Sequence, residues 1–419
     1  MQTKAVRIHG TNDLRLDTFD LPEIADDEIL AAVVSDSVCM STHKAAMQGS
    51  SHKRVPDDVA ENPTIVGHEF CGVIEKVGEK WKDKFAPGEK FAIQPAHNHG
   101  GSLDAPGYSY RFCGGDATHV IIPRETLEED CLLKYSGDAF FYASLAEPMS
   151  CIIGGAHASY HTKSGSYVHK MGIREGGKLA LLAGAGPMGL GMVDYIVHCD
   201  RKPSLVIVTD IDSARLSRAA SILPPSEAER HGVKLMYVNT TNFEDPIAFM
   251  KRFAPDGFDD VFVYAPVKPV IEMGDRLLGR DGCLNFFAGP TKTDFRAELN
   301  FYNVHYASTH IVGTSGGNTD DMREALRMME DGRLNPAAMI THICGLDAVA
   351  DVTLNLDKIP GGKKLCYTNI SLPLTAISDL EKLGKTDPLM RALAEICGRH
   401  GGLWSAEAEK FLLENAKPI

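Results

Sequence analysis

Lys178-Leu-Ala-Leu-Leu-Ala-Gly184-Ala-Gly186-Pro187-Met188-Gly189, followed by Leu190 to Val197 and then by Leu205-Val-Ile-Val-Thr-Asp210, is the stretch whose reading decides the fold. The short apolar run 178–182 reads as a buried strand, the glycines as a tight turn, and Leu190 to Val197 as the start of a helix. The run 205–210 reads as a second buried strand closed by an acid. Strand, Gly-x-Gly-x-x-Gly turn, helix and strand ending in Asp is the pattern of a dinucleotide site. On this reading Gly184 permits the turn, Gly186 lets backbone N–H groups approach a pyrophosphate, and Gly189 lets the helix pack close to the sheet. Pro187 and Met188 sit between them, at the helix N-terminus that faces phosphate charge. Asp210 falls about 20 residues after Gly189, where a carboxylate accepts hydrogen bonds from ribose hydroxyls and repels a 2′-phosphate. NAD is therefore favoured over NADP. The plainer alternative is that Asp210 only ends a strand at the surface.

Working outward, strand candidates at Leu235–Asn239, Asp260–Tyr264, Gly282–Ala288 and His310–Gly313 alternate with helical segments. Six strands with crossovers suit a doubly wound parallel sheet. Residues 219–235, around Pro224-Pro225-Ser-Glu, read as an irregular polar insertion. Before the nucleotide unit, the first ~125 residues look mainly β, with turn signals at short spacing. A helical pattern begins at Phe140. After Gly313 a helix is expected over Asp320–Glu330, then turns and strands to Asn369. In the tail, Asp387-Pro388 reads as a helix N-cap and first-turn pair, with Leu389, Leu393, Ile396 and Cys397 on one face. Ser405 would cap a last helix carrying Phe411 and Leu412. The tail is expected to pack on its own core rather than on another subunit.

The 419 residues are too many for one core and enough for two domains. The formal charge of −13 argues against nucleic-acid binding and disfavours an anionic membrane surface. No apolar stretch approaches the ~18 residues of a membrane span, and the N-terminus has no signal-peptide h-region. The ten cysteines are scattered without disulfide-scaffold spacing, so a cytoplasmic setting with reduced thiols is expected.

Three polar groups lie where chemistry is expected: Cys39 at a strand end, His68 and Glu69 before a strand, and Glu147 before Pro148. Cys, His and carboxylate are the ligand types of a catalytic zinc with one open position. Their wide separation in sequence is not diagnostic, and any one of them alone is more often structural.

Together, however, the motifs resemble a family. Gly67-His68-Glu69, Cys39-x-Ser41, Glu147-Pro148-Met-Ser-Cys, Gly184 to Gly189 and Asp210-Ile-Asp-x-x-Arg215 are similar to the zinc-dependent medium-chain dehydrogenases, over residues 1 to about 370. Within that family the likeness is greatest to its polyol branch and to the sorbose 1-phosphate reductases. It is carried there by His52-Lys53-Arg54-Val-Pro, Tyr237-Val-Asn239-Thr, Gly384-Lys-Thr-Asp-Pro388 and Gly402-Leu-Trp404.

The resemblance implies an α/β protein in three parts. These are a β-rich GroES-like catalytic domain (1–150 and 319–370), a Rossmann coenzyme domain (151–318) and a C-terminal helical extension (371–419). It implies one catalytic zinc on Cys39 and His68, with Glu69 or Glu147 as the further ligand. Ser41 would carry the proton, or the other glutamate would, with His43 or Lys44 nearer solvent. Gly184, Gly186, Pro187, Met188, Gly189, Asp210 and Arg215 would hold the coenzyme. Many relatives bind a second zinc on four closely spaced cysteines. Here the loop 94–113 has only Cys113, so no such site is expected, and His97 and His99 read as solvated or substrate-facing. Thr42-His43 departs from the Asp that relatives usually carry after the hydroxyl residue.

The implied activity is hydride transfer between a nicotinamide and a sugar or polyol phosphate, with His52, Lys53 and Arg54 offered to the phosphate. A zinc dehydrogenase of unphosphorylated sugar alcohols is the alternative. A non-catalytic NAD-binding regulator is a remote one, since every zinc-ligand position is filled. A homodimer or homotetramer is implied.

Overall fold

The computed structural model describes residues 1–419. The chain divides into two units, Met1–Pro148 with Asn318–Ile419, and Met149–Gly317. Helix Phe140–Ala158 carries the chain from one to the other.

The first unit is built on strand Ile29–Val38. Its inward residues Ile29, Ala31 and Val33 are fully buried, the alternation expected of a half-buried strand. It is antiparallel to Phe70–Val77, to His119–Ile122 and to Lys363–Tyr367. Beyond them Lys90–Ile93 and Leu132–Tyr135 extend one side of the eight-stranded sheet, and Ile340–Gly345 and Thr375–Ala376 the other. A smaller sheet orders Asp13–Asp20, Gln2–Gly10 and Thr64–Ile65. The strand that follows the whole second unit, Lys363–Tyr367, thus pairs directly with one from the first 40 residues.

The second unit is a six-stranded parallel sheet. Across it run Lys234–Asn239, Leu205–Asp210, Lys178–Leu182, Phe258–Val263, Leu278–Phe286 and His310–Val312. The order in which strands are added reverses between Lys178–Leu182 and Phe258–Val263, which run parallel, and the Gly-rich turn leaves at that switch point, where open α/β sheets bind ligands.

Two sequence expectations change here. Residues 219–235 are not irregular: helix Ser213–Ile222 runs into them, and Pro225–Arg230 is a further helix. Pro225 occupies its first turn, where a missing N–H costs nothing. The left-handed residue of the nucleotide turn is Ala183, at φ 53°, rather than Gly184. Gly184 instead avoids Leu181, whose Cβ would lie 2.8 Å from an added Cβ, and a Cβ on Gly189 would lie 2.0 Å from the Gly184 carbonyl oxygen. A Cβ on Gly186 would meet nothing within 4 Å, so that side of the turn is open for a ligand.

The tail belongs to the first unit. Helix Pro388–Arg399 is capped by Asp387, which accepts from the Leu389 and Met390 amides, and helix Ala406–Asn415 by Ser405. Leu393, Ile396, Cys397, Trp404 and Leu412 share a core with Phe141, Leu145, Ile343, Leu365 and Tyr367. Leu389 and Phe411 pack at its margin. Glu409 does more than fill space. It accepts the Phe140 and Phe141 amides at 2.6 and 2.8 Å and the Tyr367 hydroxyl at 2.9 Å. The tail therefore caps the helix that carries Glu147, whose first amides have no partner within the helix. Burial pushes the Glu409 pKa up to about 7 against the pull of these donors. Glu409→Ala leaves three buried donors unpaired, and should cost about 3 kcal/mol in urea unfolding. A change below about 0.5 kcal/mol would show that the cap is dispensable.

Candidate metal centre and coenzyme turn

Strand register assembles the first site. Val38 pairs with Lys364 and Asp36 with Phe70, both antiparallel. The next residue of each strand end is therefore Cys39, Lys363 and Glu69, which meet at one edge of the sheet. Gly67, at φ 89°, makes the bend before His68, and a Cβ there would lie 2.6 Å from Asp36 Oδ2. The donor atoms of Cys39, His68 and Glu69 come within 4.8 Å of one another. These are three of the four ligands that the sequence put forward.

Each partner of the group is defined. His68 Nδ1 shares a 3.0 Å hydrogen bond with Thr42 Oγ1, and its Nε2 lies 3.3 Å from the Tyr108 hydroxyl. Thr42 stands at the departure from the usual Asp, and it still orients the imidazole. Lys363 Nζ donates to both Glu69 oxygens, at 2.5 and 2.6 Å, with both side chains buried. The Glu69 amide donates to Asp36 Oδ1 at 3.0 Å.

The electrostatics follow from burial. Burial and the Glu69 charge push the Cys39 thiol up to about 12. Burial brings His68 down to about 4 against the pull of Glu69, so its imidazole is neutral and able to ligate. Burial alone would raise Glu69, but the Lys363 ammonium outweighs it and holds the carboxyl below its ordinary value. Asp36 is held well above the carboxylate range by burial and by Asp116 beside it, and burial pushes Asp116 up to about 7. Cys39 as thiolate, Glu69, Glu147, Lys363 and a divalent cation together sum to zero charge. The donor set fits zinc, and a thiolate in this burial needs such a cation.

Glu147 is buried on helix Phe140–Ala158, and its charge acts on Cys39, Tyr108 and Lys363. It stands outside the tight three-residue group. Ser41 is exposed on helix Met40–Gln48, and its amide donates to the Cys39 sulfur. Lys44 is half-buried. His43 is corrected: it is buried, and its Nδ1 is 2.8 Å from the Thr353 carbonyl, so it is not the group nearer solvent. His97 and His99 have separate partners, Tyr110 at 3.1 Å and Glu129 at 3.0 Å.

The basic loop is one side chain from the metal group. The His52 ring stacks on Tyr108, with centroids 5.8 Å apart, and the Arg54 guanidinium lies 5.8 Å from the same ring. Arg54 Nη1 also donates to the Leu103 carbonyl at 2.8 Å, while Lys53 is exposed. Tyr108 and Lys363 were not singled out from the sequence, and Thr42 was marked only as a departure from the usual Asp. Lys363 is 294 positions from Glu69, and nothing local marks it.

In the second unit, Gly184, Gly186 and Gly189 form the turn into helix Pro187–His198, with Pro187 in its first turn, Met188 following it and Gly186 as N-cap. Asp210 ends its strand buried, and its Oδ1 accepts the Ile211 and Asp212 amides at 2.8 and 3.1 Å. Those amides aim the carboxylate. Arg215 is exposed on the next helix, 3.6 Å from Asp212.

Residues 25–131 match the alcohol dehydrogenase GroES-like domain. A mannitol-1-phosphate 5-dehydrogenase of Aliivibrio fischeri (strain ATCC 700601 / ES114) is 53% identical over 414 residues, spanning 99% of this chain and 98% of the relative. An L-sorbose 1-phosphate reductase of Klebsiella pneumoniae is 48% identical over 417 residues, spanning 100% and 98%. The crystal structure of 2R,3R-butanediol dehydrogenase from Bacillus subtilis shares the fold, with a TM-score of 0.69 at 20% identity over 88% of this chain and 100% of that one.

Removing one partner of the buried pair strands the other charge. Lys363→Met should cost about 3–5 kcal/mol in chemical denaturation, and the double variant Lys363→Met/Glu69→Gln should recover most of it. The Glu69 carboxyl is held below its unfolded value of 4.5, so its contribution is present above that pH and lost as pH falls through the lower folded value. The double variant should therefore show a shallower acid limb. Additive single-variant costs would contradict the coupling.

Proposed function

The chain belongs to the zinc-dependent medium-chain dehydrogenase family, and from that premise we propose that it moves a hydride between NAD(H) and a sugar or polyol phosphate, with Cys39, His68 and Glu69 as its metal ligands. The observation that carries the assignment is the convergence of a thiol, a neutral imidazole and a carboxylate within 4.8 Å. When bound, zinc supplies Lewis-acid charge that favours the alkoxide of an alcohol substrate.

The protein's own groups do the rest. Thr42 orients His68, and Lys363 fixes Glu69 while leaving lone pairs on both of its oxygens. Glu147 adds negative charge beside the thiolate without joining it. Ser41, exposed next to Cys39, takes the substrate hydroxyl proton at Oγ and releases it to solvent. When bound, the nicotinamide would supply the hydride acceptor in oxidation and the hydride donor in reduction. The second unit orients the coenzyme through the Gly184–Gly189 turn. The Asp210 carboxylate disfavours a 2′-phosphate, which supports NAD over NADP.

The phosphate preference is supported by the two relatives named for 1-phosphates and by the basic loop that Tyr108 links to His68. Lys53 and Arg54 face the phosphate in this reading, with His52 held against Tyr108. Exposed Phe301, Tyr302, Tyr306 and Ile311 beside strand His310–Val312 offer a surface for pairing with a second copy, as in a dimer or tetramer. No helix is long and apolar enough to cross a membrane.

Three expected outcomes test the reading. Cys39→Ser should lose the zinc held with His68 and Glu69 and at least about 1,000-fold in turnover while coenzyme binding, followed by nicotinamide fluorescence, is unchanged. Wild-type turnover without metal would refute it. With ketose 1-phosphates and hexitol phosphates set against the free sugars, Lys53→Ala/Arg54→Ala should lower kcat/KM for the phosphates by about 10–100-fold, as expected for lost charge-assisted contacts. An unchanged phosphate-to-free-sugar ratio would instead assign an unphosphorylated polyol. Asp210→Ser should shift the NADP-to-NAD ratio of kcat/KM upward by about tenfold or more.

A further inference from the structure

A second group of ligand-type side chains lies in the coenzyme unit, outside the site described above. His198 ends helix Pro187–His198, Glu227 lies on helix Pro225–Arg230, and His231 is the residue after it. Glu227 and His231 are four residues apart, so they stack on one helical face, with Glu227 Oε1 3.3 Å from His231 Nε2. The His198 and His231 rings touch edge to face, with centroids 4.5 Å apart. One donor atom from each of the three residues lies within 4.8 Å of the others. Two ligands of a tetrahedral zinc are about 3.4 Å apart, so small rotamer shifts close the set.

An independent feature points the same way. His198 Nδ1 is held by the Asp194 carboxylate at 3.0 Å and by the Asp194 carbonyl at 2.9 Å, and Asp194 is buried. This carboxylate–imidazole pair fixes the Nδ1–H tautomer and leaves the Nε2 lone pair for a cation, the outer-shell arrangement common behind metal-bound histidines. Arg230 pairs with Glu227 through Oε2, and Oε1 faces His231 Nε2, so a cation would displace only that His231 contact. Lys202 and Arg230 are the nearby positive charges, and Asp194 and Glu227 offset them. Before any cation binds, the surroundings are close to neutral.

We propose that His198, Glu227 and His231 form a second metal site, of the borderline transition-metal class that includes zinc, which ties the far end of the nucleotide helix to the short helix after Pro224. Two imidazoles and one carboxylate suit zinc, nickel or cobalt, and not magnesium or calcium. The ion would close the loop 199–226 and brace a helix whose other end is the Gly184–Gly189 turn. Its role is structural, with a fourth position left to water.

The test uses the full chain stripped with chelator and reloaded with zinc chloride, reading metal content and melting temperature. Wild type should hold about two zinc ions per chain, and His198→Gln/His231→Gln about one. Cys39→Ser should also hold about one, and that zinc should still raise its melting temperature by several degrees, as ligand linkage requires. Magnesium chloride should give no shift. Equal zinc content and equal zinc-induced shifts in wild type and the double histidine variant would overturn the proposal. So would a metal-free Cys39→Ser protein that remains folded by circular dichroism. Loss of the catalytic zinc alone affects only the Cys39 arm, so this site and the catalytic reading fail separately.

Discussion

The ion pair between Glu69 and Lys363 is the contact on which the first unit depends. Its two residues come from chain segments separated by the whole coenzyme unit, and they meet because strand Ile29–Val38 pairs with a strand from each. Taking both charges out of water is costly, and such a pair adds little net stability over a well-packed apolar one. Its value here is positional. A buried ammonium on both oxygens holds the Glu69 carboxylate in one orientation beside Cys39 and His68, and keeps it ionised at neutral pH. The same ammonium offsets part of the negative charge that a thiolate and two glutamates bring together.

Other devices serve the same end from farther away. Thr42 meets His68 with a hydroxyl that can donate or accept, so the imidazole is oriented without another charge in a crowded anionic site. The C-terminal tail reaches the site indirectly: Glu409 caps helix Phe140–Ala158, and Glu147 lies two turns along it. Tyr108 joins the metal group to the basic loop, with its hydroxyl at His68 and its ring against His52. The loop 94–113, read from the sequence for its lack of a four-cysteine zinc site, is thus a wall of the site through Tyr108.

Much of this was legible in the sequence where the signal is local. Strands Lys178–Leu182 and Leu205–Asp210 fall where their apolar runs placed them, because parallel strands are buried on both faces. The caps Asp387 and Ser405 were legible because a cap is a property of one residue and the helix after it. Pro224-Pro225 misled, since a proline pair marks a break and also starts a helix. The nucleotide turn misled at Gly184, because the strained position fell on Ala183, whose φ no residue type announces. Lys363 and Tyr108 were invisible for a different reason: their roles arise from strand register and loop packing across long sequence separations. The His198, Glu227 and His231 cluster was hidden likewise, with His198 at the end of the nucleotide helix and the other two inside a segment read as irregular.

The central claim is that Glu69, held by Lys363, completes the metal group with Cys39 and His68, while Glu147 stands by as charge. Anomalous diffraction at the zinc edge from crystals of the zinc-loaded protein tests it most directly. The account predicts a peak bonded to Cys39 Sγ, a His68 ring nitrogen and a Glu69 oxygen, with Lys363 still on the Glu69 carboxylate. A zinc bonded to Glu147 in place of Glu69, with the Glu69–Lys363 pair intact and turned away from the metal, would contradict it.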